Sequence, residues 1–394
     1  MSKFVIGQFS ESFPPLMDGV GFVAKNYTEL LLEKGHEAYA VVSGEERKKG
    51  YEKDRQGGID YTIRASMYPL PRIKPYGVIV IGKNFKREVE SINFDLIHAH
   101  APFTLGHYAL KMAKRRNIPL VATFHTLYKD DFYATFGSKK IASLLMKIVV
   151  ARFKKADEVW TPSLWSKKRL QEYGYEGDIV VVPNGTDFTL PTDEEYREYQ
   201  ERGREIAGVD STTPLLLYTG QINEKKNLHL ILESLLLAHK KGINFKMVFV
   251  GDGADLIKFR LFVKTHHLDD KITFMGRIGD REVIKALMAA AILFPFPSQY
   301  DVSPLVLREA AAFSLPLLNT KDSATAFVTT DGVDGFITEN SFDAYSKALI
   351  ELIENPNLCK KVGEAARQNL YISWQDVISE VSERYANLIE RRRK

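Results

Sequence analysis

LLLYTGQINEKKNLHLILESLLLAH, residues 215–239, passes from an apolar run through a polar turn into a segment with apolar residues at helical spacing. A short apolar run closed by a glycine reads as a buried strand, and the periodic segment after the turn reads as a helix packed on it. Lys225 and Lys226 therefore fall at a strand-to-helix turn, where a diphosphate would sit. The same alternation extends in both directions. Upstream, strands are expected at Phe4–Phe9, Ala38–Val42, Tyr61–Arg64, Leu96–His98, Leu120–Phe124, Glu158–Thr161 and Ile179–Val182. Helices should fill Val20–Glu33, Leu105–Arg116, Ile141–Lys155 and Leu164–Tyr173. Downstream, strands recur at Lys246–Val250, Ile272–Phe274, Ile292–Phe294, Leu317–Leu318 and Gly335–Ile337. Alternating strands and helices predict parallel, doubly wound sheets, with ligands at the carboxyl ends of the strands.

With 394 residues, two such domains are expected: 1–190, a polar linker 191–213 that carries a helix, 214–365, and a last helix 366–394 that returns toward the first domain. In that helix Trp374, Val377, Ile378, Val381, Tyr385 and Leu388 share one face. The composition is that of a globular protein, 45% hydrophobic and 26% charged, and no apolar run reaches the length of a membrane span. One cysteine excludes an internal disulfide, and the N-terminus lacks the pattern of a signal peptide, so a cytoplasmic location is expected. The net charge of +4 divides into +7 for residues 1–190 and −3 for the remainder, which points the first half toward an anionic partner. No nucleic-acid-binding role is expected.

A second stretch, YDVSPLVLREAAA (Tyr300–Ala312), carries the companion site. Ser303 before Pro304 reads as a helix cap with proline at the first helical position, which turns the amides of Leu305 and Val306 outward toward an anion. Asp301 precedes the helix and Glu309 lies within it, so one carboxylate reaches a sugar hydroxyl and the other a ribose diol. Gly19 and Gly21, between the first strand and helix, serve either a tight turn or a close phosphate approach. His125 comes just after the strand LVATF, which predicts a ring facing the ligand. His98 and His100 lack a nearby third ligand, so no metal is expected.

Taken in order, SESFPPLMDGVG, FDLIHAH, IPLVATFHT, VVPNGTD, GQINEKKN, VFVGDG, ITFMGRI and DVSPLVLREAAA resemble retaining glycosyltransferases of family four, over nearly the whole chain. The resemblance implies an α/β protein of GT-B fold, two Rossmann-like domains facing across a cleft, with no metal and no cofactor beyond a UDP- or GDP-sugar donor. It implies that His125 contacts the donor sugar and helps the positive charge developing at its anomeric carbon, and that Lys226 holds the diphosphate. It places Gly251, Arg277 and Ile278 in loops near the nucleoside, where ordinary turns are the other reading. Three departures stand out: Gln221 where arginine is usual, Asp301 where glutamate is usual, and Pro304 where glycine is common. HAHAPFTLGHYAL and FHTLYKDDFYATF are also similar to transferases that glycosylate diacylglycerol, which makes a lipid or cell-envelope glycan the expected acceptor. Two basic stretches, 71–88 and 137–155, fit an anionic membrane surface, and the second equally fits a core-facing helix with a lysine edge. A nucleotide-sugar epimerase of the same fold and a binding subunit without turnover are the alternatives.

Overall fold

The computed structural model describes residues 3–14, 18–46, 53–56, 59–69 and 77–394. Two units emerge, Met1–Asn184 with Trp374–Lys394, and Gly185–Ser373. The first begins β1 (Val5–Ser10), α1 (Gly19–Glu33), β2 (Glu37–Glu46), β3 (Lys53–Gln56), β4 (Ile59–Pro69), β5 (Gly77–Val80) and α2 (Lys83–Ser91). It continues β6 (Leu96–Ala99), α3 (Thr104–Arg116), β7 (Leu120–Thr123), α4 (Tyr128–Phe136), α5 (Lys139–Phe153), β8 (Glu158–Thr161), α6 (Leu164–Glu172) and β9 (Ile179–Val181). Its parallel strands run in the order β4-β2-β1-β6-β7-β8-β9, and β3 and β5 pair antiparallel with β4. The order reverses between β1 and β6, the switch point at which such sheets bind ligands.

The second unit contains α7 (Asp193–Ala207), β10 (Leu215–Thr219), α8 (Leu228–Lys240), β11 (Lys246–Val250), α9 (Leu256–Thr265), β12 (Ile272–Gly276) and α10 (Arg281–Ala290). Then come β13 (Phe294–Phe296), α11 (Val306–Ala312), β14 (Leu317–Thr320), β15 (Phe336–Thr338), α12 (Phe342–Ile353) and α13 (Pro356–Leu370). Two three-stranded parallel sheets, β10-β11-β12 and β13-β14-β15, are joined by a parallel bridge between Leu216 and Leu293. Leu215, Leu216, Leu217 and Tyr218 are fully buried, as a strand covered on both faces requires. Each such side chain contributes about 1.5–3 kcal/mol of burial.

The domain boundaries differ from those expected. The first unit ends at Asn184 rather than 190; the helix expected within the linker is α7, which fills most of that stretch and packs on α10. Its charges face outward, while Gly203 and Ala207 are buried and Tyr196 and Tyr199 pack on the core. A cut at 365 would fall inside α13; the second unit continues to Ser373. The last helix, α14 (Trp374–Arg393), belongs to the first unit. All six residues of its expected apolar face are buried, and Tyr385 stacks on Trp160 with centroids 5.6 Å apart. Arg392 pairs with Asp157, and Arg393 with Asp95. Of the basic stretch 71–88, residues 71–76 lie outside the described residues; the rest holds β5 and the start of α2.

Candidate functional site

In the second unit β10 ends in a turn through Gly220 and Gln221, succeeded by a 3-10 turn at Glu224–Lys226 and then α8. Asn227 closes the 3-10 turn in the left-handed conformation, φ 56°, its side-chain amide donating to Asn340 Oδ1 at 3.1 Å. This geometry brings Lys226 Nζ within 2.5 Å of Asp301 Oδ1. Asp301 Oδ2 accepts from the Ser298 hydroxyl at 2.5 Å. The two charged side chains are only 12% and 18% exposed, so their attraction is weakly screened. Lys225 takes a different course, its ammonium 4.2 Å from the centre of the Tyr300 ring.

The helix after Asp301 opens later than the sequence suggests. Leu305 takes the cap position, α11 begins at Val306, and no side chain caps it. The Pro304 carbonyl accepts from the Leu307 amide at 3.2 Å, a backbone turn just ahead of the helix, where the sequence places a Ser303 cap. Glu309 is buried in the first turn, and its Oε1 accepts from Arg281 Nη2 at 2.7 Å. The same guanidinium pairs with Asp187 and lies 4.1 Å over the Phe188 ring. Burial raises the Glu309 pKa and the Arg281 charge draws it back. The carboxylate expected at a ribose diol thus has one oxygen committed within the protein. Gln221 is exposed, its Oε1 accepting from Asn223 Nδ2 at 3.1 Å.

Gly251 has φ +143°, and a Cβ there would lie 1.8 Å from the Gly220 carbonyl. Glycine at this position lets the loops after β10 and β11 touch, a packing requirement that stands whatever the loops bind. Beyond β12, Arg277 is exposed and Ile278 packs on the core.

In the first unit Gly19 and Gly21 separate in role. Asp18 caps α1 by accepting from the Gly21 amide at 2.7 Å, and a Cβ on Gly21 would meet Phe13 backbone at 2.9 Å. Gly19 has open space beside it. Glu11, after β1, accepts from the Leu105 amide at 2.7 Å, and burial pushes its carboxyl up to about 7. His125 lies just past β7, half-buried, with Nε2 3.1 Å from His100 Nδ1. Its ring is turned toward the strand-end network, stacked 5.3 Å from His100. Burial lowers its pKa to about 3, so the imidazole is neutral near pH 7 and offers a lone pair rather than a charge. Among the described residues no group of three His, Cys, Asp or Glu side chains is placed to hold a metal. A cavity of about 740 Å³ along α3 is lined by Lys86, Glu90, His107, Lys111 and Arg115, and none of the sequence-predicted site residues reaches it.

Sequence reasoning missed Arg281, Asp187 and Glu11. Asp187 lies inside VVPNGTD, a segment that carries the family resemblance without a role for its carboxylate. Arg281 carries no motif of its own, and only folding pairs it with Glu309.

The two halves of the chain match two family models in order, "Glycosyltransferase Family 4" over residues 17–190 and "Glycosyl transferases group 1" over residues 200–369. The alpha-monoglucosyldiacylglycerol synthase of Acholeplasma laidlawii is 24% identical over 99% of this chain and 98% of its own length. The synthase of the same name from Streptococcus pneumoniae is 23% identical over 92% and 83%. The solved sucrose-phosphate synthase of Thermosynechococcus elongatus superposes with a TM-score of 0.79 at 18% identity, covering 98% of this chain and all of that one. Motif order, two parallel α/β units and both family matches agree: the chain is a sugar-transferring enzyme of GT-B fold and belongs to the glycosyltransferases of family four.

Proposed function

We propose that the protein transfers a hexose from a UDP- or GDP-linked donor, with retention at the anomeric carbon, to a diacylglycerol-type lipid or another cell-envelope acceptor. The observation that carries this reading is the Lys226–Asp301 pair after β10 and β13, beside the start of α11. In this reading Lys226 neutralises the β-phosphate as the bond from the anomeric carbon to its oxygen breaks. The amides of Leu305 and Val306, at the opening of α11, add partial positive charge at the same edge. The acceptor hydroxyl then bonds to the anomeric carbon from the face the diphosphate leaves, and its proton passes to the departing phosphate oxygen. Asp301 orients Lys226 and a sugar hydroxyl, Glu309 presents its remaining oxygen to the ribose, and His125 offers a neutral lone pair near the developing positive charge. No step calls for a metal.

The lipid acceptor is supported by relatives named for diacylglycerol glucosylation over nearly their whole length. It is also supported by α4 and α5. The inward stripe of α5, Ala142, Met146, Val149, Val150 and Phe153, is buried. A second stripe, Ile141, Leu144 and Ile148, is exposed, along with Tyr133 and Phe136 of α4 and Lys139, Lys140 and Lys147. The stretch thus satisfies both readings of its sequence: one face is core, and the other suits an anionic bilayer. No described helix is long and apolar enough to cross a membrane. The reading places the enzyme peripherally on the cytoplasmic face, where nucleotide sugars are made. An epimerase gains little from the site, since both carboxylates already have cationic partners. The test is incubation of the protein with UDP- and GDP-hexoses, with and without diacylglycerol vesicles, monitoring nucleotide release and the anomeric configuration of the glycolipid. Absence of lipid-dependent release with every donor sinks the acceptor, and an inverted product sinks the mechanism.

A further inference from the structure

Five polar side chains beneath His125 form one continuous hydrogen-bonded chain. His125 Nε2 lies 3.1 Å from His100 Nδ1, and His100 Nε2 lies 2.8 Å from Gln8 Oε1. Gln8 Nε2 lies 3.3 Å from the Tyr385 hydroxyl, which is 2.5 Å from His98 Nδ1. His98 Nε2 ends the chain on Thr123 Oγ1 at 2.6 Å. Gln8, His98, His100 and Tyr385 are all fully buried, with Trp160 and Tyr27 packed against them. A buried polar atom left without a partner is costly, so every member is held to its bonds.

The proton directions are therefore linked. Burial keeps both inner histidines neutral, so each ring has one donor nitrogen and one acceptor. Gln8 presents its carbonyl to His100 and its amino group to Tyr385. His100 then donates from Nε2 and accepts at Nδ1, so His125 donates from Nε2 and keeps a bare Nδ1. At the other end Tyr385 accepts from Gln8 and donates to His98, which donates to Thr123. Turning the Gln8 amide over reverses every bond and moves the His125 proton to Nδ1. Between His125 and Gln8 any mixed arrangement sets donor against donor or lone pair against lone pair, and a Tyr385 oxygen that accepted from both Gln8 and His98 would leave its own buried proton without an acceptor in this chain.

We propose that Gln8 and Tyr385 are positioning residues that fix which nitrogen of His125 carries its proton, and so which atom it presents to the donor sugar. Tyr385 lies on α14, far along the chain, and its sequence position marks it only as part of a packing face. The catalytic part of the inference rests on the reading of His125 as a sugar contact; the proton assignment does not.

The test is ¹⁵N-histidine NMR of the full chain, resolving the two ring nitrogens of His125, for the wild type, Tyr385→Phe and Gln8→Met. The wild type should show one neutral tautomer protonated at Nε2. Each variant should show a mixed or reversed tautomer and at least a tenfold lower kcat at little-changed donor KM. Val381→Ala, which thins the same face of α14 without touching the chain, should keep the wild-type His125 signals. A wild type protonated at Nδ1 or evenly mixed overturns the proposal, as does an unchanged His125 tautomer in both variants. A shifted tautomer with unchanged turnover upholds the chain and removes His125 from the sugar.

Discussion

Lys226 Nζ and Asp301 Oδ1, from loops after different strands of one unit, meet at 2.5 Å, so the cation assigned to the diphosphate is already held by a carboxylate. Removing either partner leaves the other poorly solvated and without its counter-ion. Lys226→Ala should lower kcat/KM for the donor roughly 10- to 100-fold, since a charge-assisted bond is worth about 1.5–3 kcal/mol. Steady-state nucleotide release measures this, with circular dichroism to verify the fold. Wild-type kinetics in a folded variant would remove Lys226 from the reaction.

Gln221 is exposed, and its side-chain oxygen accepts from Asn223. If it stands where the family has arginine, Gln221→Arg should tighten nucleoside diphosphate binding, because a guanidinium adds a second charge-assisted donor. Lys225 is held over Tyr300, and Lys225→Ala in the same background shows whether its ammonium also serves the phosphates. Calorimetric titration of UDP and GDP decides; affinity that does not rise in Gln221→Arg rules out that placement.

Glu11 gives a pH signature. Its carboxyl ionises near 4.5 when unfolded and about 7 when folded, chiefly through burial, so the native state holds the extra proton between those values. Its contribution to stability is therefore full below pH 4.5 and is lost as pH rises to 7, by about 3 kcal/mol. Glu11→Gln keeps an acceptor for the Leu105 amide and should flatten that slope. All three tryptophans, Trp160, Trp165 and Trp374, belong to the same unit as Glu11, so urea unfolding read through their fluorescence reports the relevant transition. Parallel pH profiles for wild type and variant would contradict the shift.

Leu144 is 61% exposed on the outer stripe of α5. Leu144→Glu should leave the melting temperature within about 1–2 °C, since exposed positions contribute little to the fold. It should reduce association with anionic vesicles on the order of tenfold or more, as expected for losing about 1.5–3 kcal/mol of apolar burial. Vesicle flotation is the measurement, and undiminished flotation would count against α5 as the contact.

The strands are the most legible part of the sequence, because runs such as Leu215–Thr219 and Lys246–Val250 are buried on both faces and stay apolar throughout. β5 and α2 hide in a stretch whose charge dominates its reading, and α4 hides behind aromatics without clear periodicity. α7 is legible as a helix within a polar stretch, but its packing on α10 is not, because its inner face mixes Gly203, Ala207, Tyr196 and Tyr199 with Ile206 instead of showing a run of aliphatic residues. Within the site, motif order puts Lys226 and Asp301 together, since each lies beside a recognisable strand end. The Arg281 bridge between Asp187 and Glu309 is not legible, because ion pairs between remote segments leave no periodic trace.

The chain leaves its first unit at Asn184 and comes back at Trp374, closing the first core with its final helix. During synthesis, therefore, the ribosome has delivered every strand of both units before it supplies the hydroxyl on which His98 and Gln8 converge. Without α14 the first unit keeps His98 on Thr123 and His100 on Gln8 and His125, but loses the phenol that joins the two sets. Formation of the half that carries His125 therefore depends on two stretches of chain, Met1–Asn184 and Trp374–Lys394, separated in sequence by the whole second unit.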